Sequence, residues 1–229
     1  PVERLTTDRF ANDYPAVAVA PTGEWAVAWV GFDNTADHLL LRRSGSPDVT
    51  EVSAGAGDFH RPALAFLGGD LLVVWPAQVE PGNFELLART VTATGLSPVR
   101  RLTDRSGTDF LPRLSRAPDG AVWLAWQAWS GTSFDIRAAR VAASGLSDEL
   151  AVASDPANDW EPDLTIAPDG AVWVAWDTYR HGSYDIYVRR LAPGAPGPET
   201  PVAASGDYEA HASLAVTGDG TVWVAYDNG

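Results

Sequence analysis

"APDGAVWLAWQAWSGTSFDIRAAR", residues 117–140, and "APDGAVWVAWDTYRHGSYDIYVRR", residues 167–190, are nearly one line written twice, fifty residues apart. Each begins with Pro-Asp-Gly between apolar stretches, a tight-turn signal because Gly accepts φ > 0 without steric cost. Each continues with a run, "AVWLAW" or "AVWVAW", that is too short for a helix, rich in Val and Trp, and without alternation. Such a run reads as a strand buried on both faces. A Gly-containing loop and a second strand, "DIRAAR" or "DIYVRR", follow.

Working outward, the unit recurs along the chain. Copies start at Pro15, Pro62, Pro112, Pro162 and Ala212, with spacings of 47, 50, 50 and 50 residues. A period of that length belongs to solenoids, propellers and arrays. The second segment of each copy, "EWAVAWV", "DLLVVW", "AVWLAW", "AVWVAW" and "TVWVAY", is apolar throughout. The third, "HLLLRR", "ELLART", "DIRAAR" and "DIYVRR", has an apolar start and, in most copies, a basic finish. The fourth, "DVTEVS", "PVRRLT", "DELAVA" and "ETPVAA", is more polar, as an outer edge strand should be. Four antiparallel strands per period, inner ones apolar and the outermost polar, define an all-β fold, the blade of a β-propeller. The aromatic closing each second strand, Trp29, Trp75, Trp126, Trp176 and Tyr226, is expected to pack between blades.

Residues 1–229 are read as one propeller domain. "VERLTTDRFANDYP" (2–15) matches "VRRLTDRSGTDFLP" (99–112), so residues 1–14 are expected to supply the outer strand of the closing blade. The last copy holds only two strands. The repeat arithmetic therefore leaves open a natural domain that continues past Gly229, with a five-bladed ring carrying one incomplete blade as the alternative.

Composition narrows the function classes. A formal net charge of −14 argues against nucleic acid or an anionic membrane surface as the main partner, since both need a basic face. All 16 basic residues are Arg, and there is no Cys, so neither a disulfide framework nor thiolate chemistry is available. No apolar run is long enough for a membrane span, and no membrane insertion is expected.

The stretch 100–140 resembles the WD40-like (PD40) repeat of TolB-type propellers. The matching residues are Leu102, Thr103, Pro112, Pro118, Asp119, Gly120, Gly131, Asp135 and Ile136, and the next copy adds "SYDIYV" at 183–188. The resemblance implies a propeller over essentially the whole chain and a periplasmic or extracellular location. For activity it implies a scaffold, a peptidase-gating domain or a polysaccharide lyase. A second resemblance, to sialidase-type propellers, rests on Arg61-Pro62 entering an inner strand; the Ser-x-Asp-x-Gly-x-x-Trp box of those propellers is missing.

Candidate ligand residues come from connections expected on one face. Each fourth-to-first connection carries Asp followed by an aromatic: Asp13-Tyr14, Asp58-Phe59, Asp109-Phe110, Asp159-Trp160 and Asp207-Tyr208. A feature shared by all copies reads first as turn chemistry and packing. Departures from the repeat are the better binding candidates, and the second-to-third connections supply Trp129, Tyr179, Arg180 and His181. With Arg61, Trp160 and Tyr208 these form the expected ligand-binding set. His38, His60, His181 and His211 all fall on the same expected face. Imidazoles near carboxylates can bind a metal, and His60, His181 and His211 are where one would sit, yet the sequence alone assigns no metal, no cofactor and no catalytic residue. The reading is a binding or scaffold propeller that presents this face to a protein or glycan ligand. The alternative is a polysaccharide lyase or glycosidase using the same face. Oligomeric state is not legible.

Overall fold

A computed structural model describes residues 2–192 and 195–229, and these form strands and turns with no helix. Two compact units are present, Pro1–Leu102 and Thr103–Gly229.

In the first unit, β1 (Ala11–Val19), β2 (Trp25–Phe32), β3 (Asp37–Arg43) and β4 (Val49–Glu51) pair in chain order as one antiparallel blade. The second blade has β5 (Ala63–Leu67), β6 (Asp70–Glu80) and β7 (Asn83–Thr92), with the short β8 (Gly95–Leu96) and β9 (Arg100–Arg101) both pairing β7. One core cluster joins the facing sides of these two blades, built on Ala28, Val30, Leu39 and Leu41 from one and Leu64, Val73 and Trp75 from the other.

The second unit holds the third blade, β10 (Asp109–Arg116), β11 (Val122–Trp129), β12 (Phe134–Ala142) and β13 (Gly145–Ala153), again in chain order. The fourth is β14 (Asp159–Ile166), β15 (Val172–Thr178), β16 (Asp185–Ala192) and β17 (Ala195–Ala203). A two-stranded sheet of β18 (Glu209–Val216) and β19 (Val222–Asn228) follows. Ala125, Ile136 and Ala138 meet Leu164, Val174 and Trp176 between the third and fourth blades, and Ala175, Ile186 and Val188 meet Ala212, Leu214 and Val224 beyond them.

The turn chemistry is as the sequence implies. Asp119 accepts from the Ala121 amide at 2.9 Å and Gly120 sits at φ 89°, donating to the Ala117 carbonyl. Residues 167–171 and 217–221 repeat this geometry.

Three expectations change. Residues 2–10, expected within an outer strand, form no strand; Glu3 instead accepts from Arg42 at 2.7 Å, and Pro1 lies outside the described residues. The Asp-aromatic pair does not occupy one place in every copy. The equivalent positions are Asn12, Asp109, Asp159 and Glu209, each opposite the end of its second strand. Three of them meet the closing Trp: the indole N–H of Trp29, Trp126 and Trp176 donates to Asn12, Asp109 and Asp159 at 2.7, 2.9 and 3.1 Å, always seventeen residues back, while Glu209 accepts from Ser205. In the second blade one extra residue separates Asp58 from Pro62, Asp58 is exposed, and the buried Trp75 Nε1 has no partner. Finally, Tyr226 is 40% exposed where Trp126 and Trp176 are fully buried, because β19 lacks a third strand beside it among the described residues.

Candidate functional site: a bulge that gathers two carboxylates and an imidazole

Each first strand except β5 carries a register shift near its start. The residue at the shift is left-handed although it is not Gly: Tyr14 (φ 51°), Leu111 (51°), Glu161 (47°) and His211 (59°). Such a conformation costs about 1–2 kcal/mol per residue, and a bulge of this kind re-aims one side chain. Pro follows in three copies, and since Pro has no N–H the bulge there forfeits no ladder bond. Where Ala212 replaces Pro, its amide goes to Asp177 Oδ1 at 3.4 Å. In the last two copies the bulge amide is held by the preceding blade, whereas the Tyr14 amide donates to Asp13 at 2.8 Å. The Glu161 N–H donates to Gln127 at 3.3 Å, and the His211 N–H to Asp177 Oδ2 at 2.9 Å. Gln127 and Asp177 are the same position, directly after the closing Trp.

Two consecutive bulges thereby bring their side chains together. His211 Nδ1 lies 2.9 Å from Glu161 Oε2, with Asp177 beneath. One ligand atom from each of Glu161, Asp177 and His211 lies within 4.8 Å of the others, a set able to hold a divalent cation. Glu161 and His211 are exposed to solvent at about half of each side chain, whereas Asp177 is buried. Pairing with Glu161 raises the His211 pKa. Burial pushes Asp177 up to about 6 against the pull of the two amides it accepts. The group thus offers an exposed carboxylate, an imidazole whose hold on its proton the carboxylate strengthens, and a buried carboxyl that changes charge near pH 6.

Aromatic rings flank it. Tyr184 is central: Trp160 stacks on it at 5.2 Å, Tyr179 meets it edge-on at 5.2 Å, and Tyr208 leans on it at 5.2 Å. Tyr208 carries the cluster to His211, its hydroxyl 3.3 Å from Nε2. Tyr179 and Tyr208 are 44% and 41% exposed, so the rings present an accessible platform.

The seven expected ligand residues divide accordingly. Trp160, Tyr179 and Tyr208 converge. Trp129 stands in the third blade with its ring against Phe134, and Arg61 is exposed in the first unit. His181 is exposed and bound to Asp185 at 2.9 Å. Arg180 is mostly buried within its own blade: it donates to Thr178, Glu199 and Asp159 at 3.0, 2.6 and 3.2 Å, and its guanidinium lies over the Tyr187 ring. That is a clamp holding strands. His211 meets two carboxylates, not a second histidine. Sequence reading missed Glu161, Asp177 and Tyr184. The available signal was that Glu161 and His211 occupy the one place where other copies have Tyr14, Arg61 or Leu111.

Asp159, like Asp177, is pushed up to about 6 by burial, despite the opposing pull of Thr178, Arg180 and Trp176. Between pH 7.5 and 5.5 the native state takes up protons on both while the unfolded chain, titrating near 3.9, does not, so stability rises as pH falls. The two together contribute about 1.5 kcal/mol over that interval, or about 4 °C in Tm. His211, whose pKa is also raised, adds in the same direction. Calorimetry at the two pH values checks this, and Asp159→Asn with Asp177→Asn should flatten the dependence.

No protein-family model and no curated protein matches the chain. Solved structures do. An endo-arabinase from Bacteroides thetaiotaomicron superposes with a TM-score of 0.60 at 16% identity, covering 93% of this chain and 88% of that one. An α-L-arabinanase of Penicillium chrysogenum, solved with arabinobiose, gives 0.65 at 13% identity, covering 93% and 74%. TolB from Acinetobacter baumannii gives 0.60 at 16% identity, covering 97% of this chain and 53% of that one. These are β-propellers, and the all-β, four-stranded blades of this chain have the same fold.

Proposed function

We propose that this chain is a carbohydrate-active propeller whose site is the Glu161–Asp177–His211 group and the tyrosine platform beside it. The observation that carries the reading is the convergence of an exposed carboxylate, an imidazole and a buried carboxyl next to stacked, accessible rings. Sugar rings present C–H faces that lie on aromatic planes, and hydroxyl groups that bond to carboxylates. Glu161 accepts a proton from a hydroxyl or water, His211 in its protonated form donates to a leaving oxygen, and Asp177 fixes the His211 backbone while balancing charge. Resemblance in fold to arabinanases and to a xylosidase supports the class of polymer. By this reading the protein works in the periplasm or outside the cell, where such polymers are met.

Arabino- and xylo-oligosaccharides are the probes. Calorimetric titration is expected to show binding that Tyr208→Ala weakens at least about tenfold, in line with the loss of a stacking ring. Absence of binding to both series, or binding indifferent to Tyr208, sinks the proposal. A second reading, capture without turnover, is favoured by the two backbone amides that hold Asp177 in place. It predicts binding with no release of reducing ends.

A further inference from the structure

Between the third and fourth blades, at the strand ends opposite those that carry Glu161 and Asp177, lies a cavity of about 310 Å³. Its walls are Trp123 near the start of β11, Leu150 of β13, Val172 at the start of β15 and Leu191 near the end of β16. Val172 and Leu191 are buried in the core between the two blades, and Trp123 packs against that core while staying half-buried. Both blades have all four strands, so the cavity belongs to two complete blades. Its volume is at the lower end of small-molecule pockets and suits a ligand of about one ring.

Three charged residues border this apolar space: Arg140, Asp148 and Glu149. Two of them are already engaged. Arg140 meets Asp119 at 3.4 Å, and Glu149 accepts from Arg137 at 2.8 Å and from Arg105. Asp148 is exposed and has no ion pair among the described residues. Its backbone is left-handed at φ 53° although it is not Gly, a strained conformation. The repeat does not demand that strain. Ala138 pairs with Leu150 and Val188 with Thr200, so the fourth-blade counterpart of Asp148 is Pro198, whose ring fixes φ at about −65°. The register shift between Ala138 and Arg140 marks a bulge at this point, and a bulge re-aims one side chain, here on the cavity rim. Strain kept in one copy and at the mouth of a cavity is the kind found at ligand clamps.

We propose that this cavity binds a small organic cation, a single aromatic ring carrying an alkylammonium group. The ring fills the apolar space against the Trp123 indole and the aliphatic wall, and the ammonium pairs with Asp148 at the rim. With Arg140 and Glu149 each balanced by its own partner, Asp148 gives the rim one uncompensated negative charge. That charge selects a cation over an anion of the same shape. The site is independent of the carbohydrate reading, since the two use opposite ends of β15.

The test uses the 229-residue chain and phenethylammonium as the probe, with phenethyl alcohol and hydrocinnamate as its neutral and anionic counterparts. Binding is followed by NMR at the indole N–H of Trp123, assigned by its loss in Trp123→Phe. The ammonium should shift that signal saturably, bind about fivefold tighter than the alcohol, and weaken as salt rises. Asp148→Asn should bring its affinity down to that of the alcohol while leaving Tm in place, because Asn also tolerates the left-handed region. Tyr208→Ala should leave it unchanged. The proposal is overturned if Trp123 shows no saturable shift, or if the alcohol or hydrocinnamate binds as well as the ammonium. It is equally overturned if Asp148→Asn keeps full affinity, or if Tyr208→Ala removes binding, which would put the cation at the tyrosine platform.

Discussion

Trp176→Ala should lower the stability of the second unit by about 4 kcal/mol, the range for truncating a fully buried aromatic. The indole is completely buried between blades and its N–H is bound by Asp159, which is itself completely buried. Truncation therefore opens a cavity and strips a donor from a buried carboxyl at the same time. The more informative variant is Trp176→Phe, which keeps one ring and removes the donor together with the pyrrole volume, a volume loss that Trp75→Phe shares. It should cost about 2 kcal/mol more than Trp75→Phe, because Trp75 is equally buried but its Nε1 has no partner to lose. Denaturant midpoints of the two variants provide the comparison, and equal losses would show that volume alone matters.

The second large effect is chemical. Glu161→Gln should reduce turnover of any oligosaccharide substrate at least about 100-fold, the scale of losing a general base, while leaving binding to the tyrosine platform in place. A readout independent of activity accompanies it. Since the Glu161 carboxylate is the main cause of the raised His211 pKa, the His211 titration followed by NMR should move down in Glu161→Gln. An unmoved midpoint would mean the pair is not formed in solution, and the proposed site would fall with it. Turnover lost with the titration shifted and the Tyr208 contribution to binding intact is the expected combination.

Much of the fold was legible because it depends on local chemistry repeated at a fixed period. Pro-Asp-Gly turns, doubly apolar second strands and polar outer strands each follow from residues within one copy, and they recur in the observed blades. The lapses came where one copy departs by a single residue. β5 has no bulge, so Phe59 and not Asp58 stands opposite Ala77 and Trp75 lacks the cap its counterparts have, and the Asp-aromatic pattern looked uniform although Asn12 and Glu209 hold the equivalent positions.

The site divides in the same way. Trp160, Tyr179 and Tyr208 were visible as aromatic departures in loops, but Tyr184, the ring they surround, follows the repeat and so attracted no notice. Arg180 looked like a ligand-seeking cation; its partners Asp159 and Glu199 lie about twenty residues away on either side and only strand pairing brings them to it. By itself the sequence determined the blade, its turns and the closing aromatic, since those arise from spacing within about fifty residues. Only the tertiary structure decided the Glu161–Asp177–His211 group. A bulge breaks the alternation from which side-chain direction is read, and the carboxylate and imidazole it joins are fifty residues apart, one on each of two neighbouring blades.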